Sequence, residues 1–308
     1  MNTSRIMLWV LVMLVPGITA MTYAWGVGVL WNVVVLSVAC IGTEAIALWL
    51  KGARRWSEMS FHLSDYSALL SAWLMAICLP PFTDALLLLL AALAAIGLAK
   101  HAYGGLGRNI FNPAMVGYAV ILVSFPQHLA HWPAIAGSSV DALSGATLLT
   151  EFRYRQGLTT AEFAQLFAQV ISTQQLIAFS FFLPGLMLAY KHLLAWRVPA
   201  SMFAAIAGCV LLGYDQGSSV SLGSAWFHWF SGGFVAAAFF VATDPVTHPR
   251  QPKQQILFGG VVGIFVYTIR AYGAFPDGIA FAILFANCLT PLLNRMAAHA
   301  PTREASHG

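Results

Sequence analysis

Apolar residues run along this chain in blocks of roughly twenty, separated by short polar or Gly/Pro-rich punctuation. A helix crossing a bilayer needs about 20 apolar residues. Ten blocks read as such helices, at about 6–23, 27–50, 64–81, 84–100, 112–126, 175–191, 199–214, 225–243, 255–271 and 278–294. The first has Arg5 ahead of a short apolar core, as a secretory leader would. Its core continues to Tyr23 and a second block comes almost at once, so it reads as a retained helix.

Composition narrows the class. Hydrophobic residues make up 59% of the 308, and only 8% are charged, against about a quarter in a soluble domain. Disorder is excluded for the same reason, since 13% aromatics with so little charge is the reverse of its signature. The pattern predicts an all-α polytopic membrane protein, a single membrane domain over 1–308, with the lipid bilayer as its surroundings.

A net charge of +4 would suggest nucleic acid in a soluble protein, but here the basic residues read as topology signals instead. With the N-terminus in the cytoplasm, Arg5, Lys51, Arg54, Arg55, Lys100, Arg108, Lys191, Arg197, Arg250, Lys253, Arg295 and Arg303 fall inside. Only Arg153, Arg155 and Arg270 fall outside. Both termini are then cytoplasmic, with a short tail at 295–308, and the long segment 127–174 faces the periplasm of a bacterial inner membrane. Cys40, Cys78, Cys209 and Cys288 lie far apart inside apolar runs, with no metal-ligand spacing, and read as buried packing residues.

Ten spans around a long central loop invite a search for two halves. A shift of 169 places Pro80 on Pro249, Ala102-Tyr103-Gly104 on Ala271-Tyr272-Gly273, and Ile110 on Ile279. Each half, about 6–126 and 175–294, has five spans. An odd number inverts the second copy, so the expectation is a 5+5 inverted repeat.

Three stretches carry candidate chemistry. Asp141-Ala142-Leu143-Ser144-Gly145-Ala146-Thr147 lies in the predicted outer loop. Its small residues allow close approach of a bulky ligand, and the Thr147 hydroxyl can form a phosphoester; the plain alternative is a Ser/Thr turn. The pattern D-x-x-S-G-A-T resembles the recognition sequence of the flavin transferase that esterifies FMN to threonine. The resemblance makes Thr147 the attachment point, with Asp141, Ser144, Gly145 and Ala146 as the recognised neighbours.

The second stretch, GGLGRNIFNPA at 104–114, is a helix break in which Asn109 and Asn112 offer amides to a polar heterocycle or simply cap the next helix. The third, ATDPVT at 242–247, sets Asp244 against an apolar run, where a carboxylate must be solvated, capping or liganding. Weaker candidates are Glu44 and Asp84 for an ion path and the His128/His131 pair, which lacks a partner for metal binding. Trp226 and Trp229 fit an aromatic belt. No residue is a candidate catalyst, and no metal site is expected.

Read together, GRNIFNPAMVGYA, DALSGAT, FVATDPVTHP and the C-terminal FGGVVGIFVYTIRAYGAFPDGIAFAILFANCLTPLLNR resemble one family of membrane subunits. It contains the RnfD subunit of the Rnf complex and the NqrB subunit of the Na⁺-translocating NADH:quinone reductase. The resemblance runs from about Ser64 onward, and the short stretch ahead of the first span sits nearer the Rnf subunit than a quinone-reductase NqrB-like protein. It implies a subunit of a redox-driven ion translocase that couples ferredoxin/NAD chemistry to Na⁺ or H⁺ movement, without a complete active site of its own. It implies covalent FMN on Thr147, a flavin transferase, and partner subunits that include one with a periplasmic flavin. Some members also hold a non-covalent flavin such as riboflavin, for which Asn109, Asn112 and Asp244 are the carried-over candidates. A solute channel or transporter is the rival reading, because inverted repeats with broken helices are also a transporter architecture.

Overall fold

A computed structural model describes residues 3–53, 55, 59–60, 63–130, 132–133, 135, 148–155, 157–213, 215–273, 275 and 277–298. Among these the regular structure is helical, and helix occupies each of the ten apolar blocks. We label the helices of those blocks α1 (Thr3–Trp25), α2 (Gly28–Leu50), α3 (Ser67–Ala76), α4 (Ala85–His101) and α5 (Pro113–Ser124). The second half continues as α6 (Ala168–Tyr190), α7 (Arg197–Leu212), α8 (Phe234–Ala236, continuing through Ala237–Val241), α9 (Pro252–Tyr272) and α10 (Ile279–Ala298). Five of them, α1, α2, α6, α9 and α10, are long and apolar enough to cross a membrane. The chain is therefore a multi-pass membrane protein.

Local chemistry explains where these helices begin. Asn112 caps α5, its Oδ1 accepting from the Met115 N–H at 3.2 Å, and Pro113 occupies the first turn, where no N–H partner is needed. Asp84 caps α4 through the Leu86 N–H at 2.7 Å. Three boundaries differ from the sequence pattern. Helix α6 starts at Ala168, ahead of the apolar block at 175, and α3 is confined to Ser67–Ala76. The block 225–243 is not one helix but two, Ala225–Phe230 and α8, parted by Ser231-Gly232-Gly233.

Among the described residues, Leu93–His101 at the end of α4 and Ala237–Val241 at the end of α8 wind as π-helix. Wide turns of this kind are uncommon and gather at functional positions.

The packing of the first five helices is echoed in the last five. Helix α2 packs on α3 and α4, and α4 on α5; α7 packs on α8 and α9, and α9 on α10. Across the halves, α1 meets α6 and α5 meets α10. Gly259 and Gly263 on α9 lie against the Val198 and Met202 carbonyls of α7, leaving no space for a Cβ. Small residues at helix interfaces are how apolar helices approach closely in a bilayer, where burial alone gives little drive. Most of the buried apolar side chains belong to one core running through both halves, from Leu14 and Leu36 to Phe258 and Ile283. Ile135, Leu148, Phe152, Phe163, Phe167 and Val170 form a smaller cluster, against which Trp25 and Phe227 pack.

The turns between helices are tied by buried amides. Asn32 of α2 donates to the Leu79 and Pro80 carbonyls at 3.3 and 2.7 Å and accepts from Thr83 N at 3.2 Å. In the other half, Asn287 and Thr290 of α10 both donate to the Thr247 carbonyl, at 3.2 and 2.9 Å. Asn287 Oδ1 also accepts from Asn112 N at 3.0 Å, which joins the start of α5 to the turn beyond α8. Irregular backbone at membrane depth persists only where protein satisfies it in this way.

Candidate functional site

Two cavities lie at opposite ends of α5. Asn109 and Asn112, at its N-terminal end, and Asp244, beyond α8, line the same cavity, together with Ser67 and Lys100. The structure thus brings together all three residues singled out for a heterocycle. The free space is about 50 Å³, room for a few waters. Their polar atoms are also largely engaged. Asn112 Nδ2 donates to the Val241 carbonyl at 3.3 Å while its oxygen caps α5. Asp244 accepts from the Val246 N–H at 3.3 Å and the Thr247 hydroxyl at 3.1 Å. Asn109 Nδ2 donates to the Phe111 carbonyl at 3.1 Å, leaving Oδ1 buried with no hydrogen-bond partner. Asn112 thus caps α5 and Asp244 closes the turn that follows α8, while Asn109 Oδ1 remains an open acceptor.

The backbone leading into that cavity needs its glycines: Gly104, Gly105 and Gly107 hold φ of 113°, 109° and 85°, the left-handed region that side chains resist.

Beside it lies a charged cluster. Lys100, 2% exposed and within the π-helical end of α4, pairs with Glu44 of α2 and donates to Ser67 Oγ at 2.7 Å. His101 Nε2 stands 3.4 Å from the same Glu44 oxygen, and Lys51 Nζ donates to the His101 carbonyl at 2.9 Å. Glu44 Oε2 has no hydrogen-bond partner. Ionisable groups buried in an apolar bundle are costly and need a reason. Sequence reasoning found Glu44 but missed Lys100, which reads there as a topology charge at a span end. Of the other weak candidates, Asp84 is the α4 cap and His128 packs its ring near Phe125. His131 lies outside the described residues, and no group of metal-ligating side chains occurs among those described.

The second cavity, about 390 Å³, lies between the halves, near the C-terminal end of α5. Helices α1, α5, α6, α8 and α10 all contribute to its wall, and Leu148 and Leu149 border it. The lining is mainly apolar, with Tyr118, Gln174 and Asp277 as the chief polar side chains. Trp25 and Trp132 meet beside it with ring centroids 5.0 Å apart. The volume is in the range of sites that enclose a cofactor-sized ring. Asp141, Ser144, Gly145, Ala146 and Thr147 lie outside the described residues; the described chain resumes at Leu148, whose side chain is 2% exposed and faces this cavity.

At one end of the cavity the two pieces of the divided helix are held by an ion pair. Arg270 of α9 donates through Nε and one terminal nitrogen to the two Asp277 carboxylate oxygens, both at 3.2 Å. Its remaining donors reach the His228 carbonyl at 2.6 Å and the Ser231 carbonyl at 3.2 Å. Gly232 N donates to Gln174 Oε1 at 3.1 Å and Gly233 N to Asp277 Oδ2 at 3.4 Å. The cation thus meets the carbonyl end of one piece and the carboxylate the amide end of the next, each matched to the local dipole. Gly232, with φ of 64°, has no room for a Cβ between Asp277 and Leu149.

Comparison with known proteins adds a relationship over nearly the whole length. A model described as the NQR2, RnfD, RnfE family matches residues 1–303. A protein of Cellvibrio japonicus, named as the D-subunit of an ion-translocating oxidoreductase complex, is 37% identical over 320 residues, covering 95% of this chain and 89% of that one. Proteins of the same name from Ectopseudomonas mendocina and Yersinia pseudotuberculosis are 37% and 36% identical, covering 100% and 95% of this chain and 92% of each relative.

Proposed function

The chain belongs to the NQR2, RnfD, RnfE family, and from that premise we propose that it is the flavin-carrying membrane subunit of a redox-driven ion translocase, with FMN esterified to Thr147. The observation that carries the flavin reading is the cavity of about 390 Å³ whose wall includes Leu148, the residue after Thr147. A ring attached at Thr147 has an apolar slot within reach, walled by both halves of the molecule.

FMN in that slot supplies one- and two-electron redox chemistry. The protein's part is to hold the ring, exclude water and set the local charge. Met115, Ile177 and Phe181 give apolar walls, while Tyr118, Gln174 and Asp277 supply the polar contacts. The partners in this reading are the other subunits of the complex, among them one with a periplasmic flavin, and the flavin transferase. The ten blocks are ten spans in a 5+5 inverted arrangement, supported by the paired packing of α2–α5 and α7–α10. The charge distribution supports cytoplasmic termini and a periplasmic 127–174 segment in the inner membrane.

The deciding experiment is in-gel fluorescence of the denatured chain from cells that make the transferase, followed by peptide mass spectrometry. A fluorescent band with FMN on the peptide containing Thr147 is expected. Thr147→Val keeps the β-branched shape but deletes the esterified oxygen, so it should insert normally and lose all covalent flavin. A non-fluorescent wild-type band, or flavin retained in Thr147→Val, overturns the reading and returns the chain to a transporter.

A further inference from the structure

We infer that Asp277 and Gln174 select the occupant of the larger cavity by reading an imide edge, the carbonyl–N–H–carbonyl side of a flavin's pyrimidine ring. The inference rests on the reading of that cavity as the seat of the ring attached at Thr147. It adds which atoms recognise the ring and which ring systems they reject.

Two consecutive backbone amides set the geometry. Gly232 N donates to Gln174 Oε1 and Gly233 N donates to Asp277 Oδ2. Bonds to neighbouring peptide N–H groups set the carboxamide and the carboxylate side by side, both on the cavity wall. Only the oxygen of a carboxamide can accept from an N–H, so the Gln174 amide orientation is determined: its NH₂ points away from Gly232 as a donor. Asp277 is held as an acceptor by the two-point contact with Arg270, which is itself 5% exposed and fixed by the His228 and Ser231 carbonyls. The Asp277 side chain keeps 25% of its surface open. The wall therefore offers a donor beside an anionic acceptor.

An imide edge is the complement: its carbonyl takes the Gln174 N–H, and its N–H donates to Asp277. A quinone presents carbonyl oxygens and no ring N–H. It would set an oxygen against the Asp277 carboxylate and leave that acceptor unmet, the kind of mismatch that gives strong discrimination. A carboxylate hydrogen-bonded to the ring N–H also disfavours adding negative charge to the ring, so Asp277 holds the potential of the bound flavin down.

The test uses full-length Thr147→Val protein purified in detergent, titrated with lumiflavin, 3-methyllumiflavin and menadione. Lumiflavin should bind with quenched fluorescence. Blocking the ring N–H by methylation should weaken binding at least about tenfold, the scale of one hydrogen bond to a charged group, and menadione should compete no better. Gln174→Leu should weaken lumiflavin while keeping the methyl discrimination, and Asp277→Asn, whose amide oxygen still accepts but carries no charge, should shrink the discrimination. In the flavinylated chain, Asp277→Asn should raise the midpoint potential. If Asp277→Asn fails to assemble because Arg270 loses its partner, the methylated ligand and Gln174→Leu still decide. Equal binding of the two lumiflavins overturns the inference while leaving the ring in the cavity. Failure of either to bind overturns it together with the cavity reading, and intact flavinylation of Thr147 in the wild type would then show that the attachment reading survives.

Discussion

At the scale of single residues, the Glu44–Lys100 pair makes the sharpest demand on its surroundings. Two charges buried together are tolerable, but one alone is not: removing a single partner of such a pair costs about 3–5 kcal/mol, while replacing both with apolar groups is often neutral. Lys100→Met should therefore lower the melting temperature in detergent more than the double variant Glu44→Gln/Lys100→Met does. A double variant no more stable than the single one would show that the two charges are not each other's main partner. Asn112→Leu should also destabilise, by about 1–3 kcal/mol, because it strands the Met115 N–H and leaves the Val241 carbonyl with the Asp244 N–H alone; unchanged stability would return its amide to ligand binding. Asn109, Asn112 and Asp244 were legible in the sequence as polar residues where polarity is expensive. Their convergence on one cavity was readable only through the three-dimensional arrangement, and so was its small volume. Lys100 and Glu44 are 56 positions apart, and Gln174 and Asp277 sit on different elements, so no local spacing announces either pair.

At the scale of elements, the helical character of the apolar blocks was legible because apolar runs of this length admit few other structures. The division of the block 225–243 was not, since Ser231-Gly232-Gly233 is short and uncharged and barely lowers the hydropathy. What opens the helix there is tertiary: Arg270 and Asp277 satisfy the carbonyls and amides that a continuous helix would have paired internally. The α7–α9 contact depends on side chains that are missing. Gly263→Val would drive two methyl groups into the Met202 backbone, and α9 would have to withdraw from α7. We expect loss of the folded protein from detergent extracts on size-exclusion chromatography, whereas Gly260→Val, where the space is open, should behave as wild type. Equal behaviour of the two would mean that α9 can shift without cost.

At the scale of the whole molecule, the charge distribution predicts an orientation with both termini in the cytoplasm. Reporter fusions after Lys51, Arg108, Arg197 and Arg250 should report cytoplasm, and fusions within 150–165 the opposite side. A cytoplasmic signal from 150–165 would contradict both the topology and a periplasmic flavin. In this orientation the cavity with Asn109 and Lys100 opens toward the cytoplasmic face and the larger cavity toward the periplasmic face, with α5 running between them.

The π-helical end of α4 sets an angular phase. Each residue advances a helix by about 100° around its axis, so one residue removed between Leu93 and Gly97 would swing Lys100 about a quarter turn or more around the α4 axis. Its ammonium would leave Glu44 and face lipid or a neighbouring helix, with the hydrophobic pattern of the stretch barely altered. Length, not polarity, is the property this segment must keep: point substitutions among Leu93, Ala94 and Ala95 that preserve size should be tolerated, and single deletions should not.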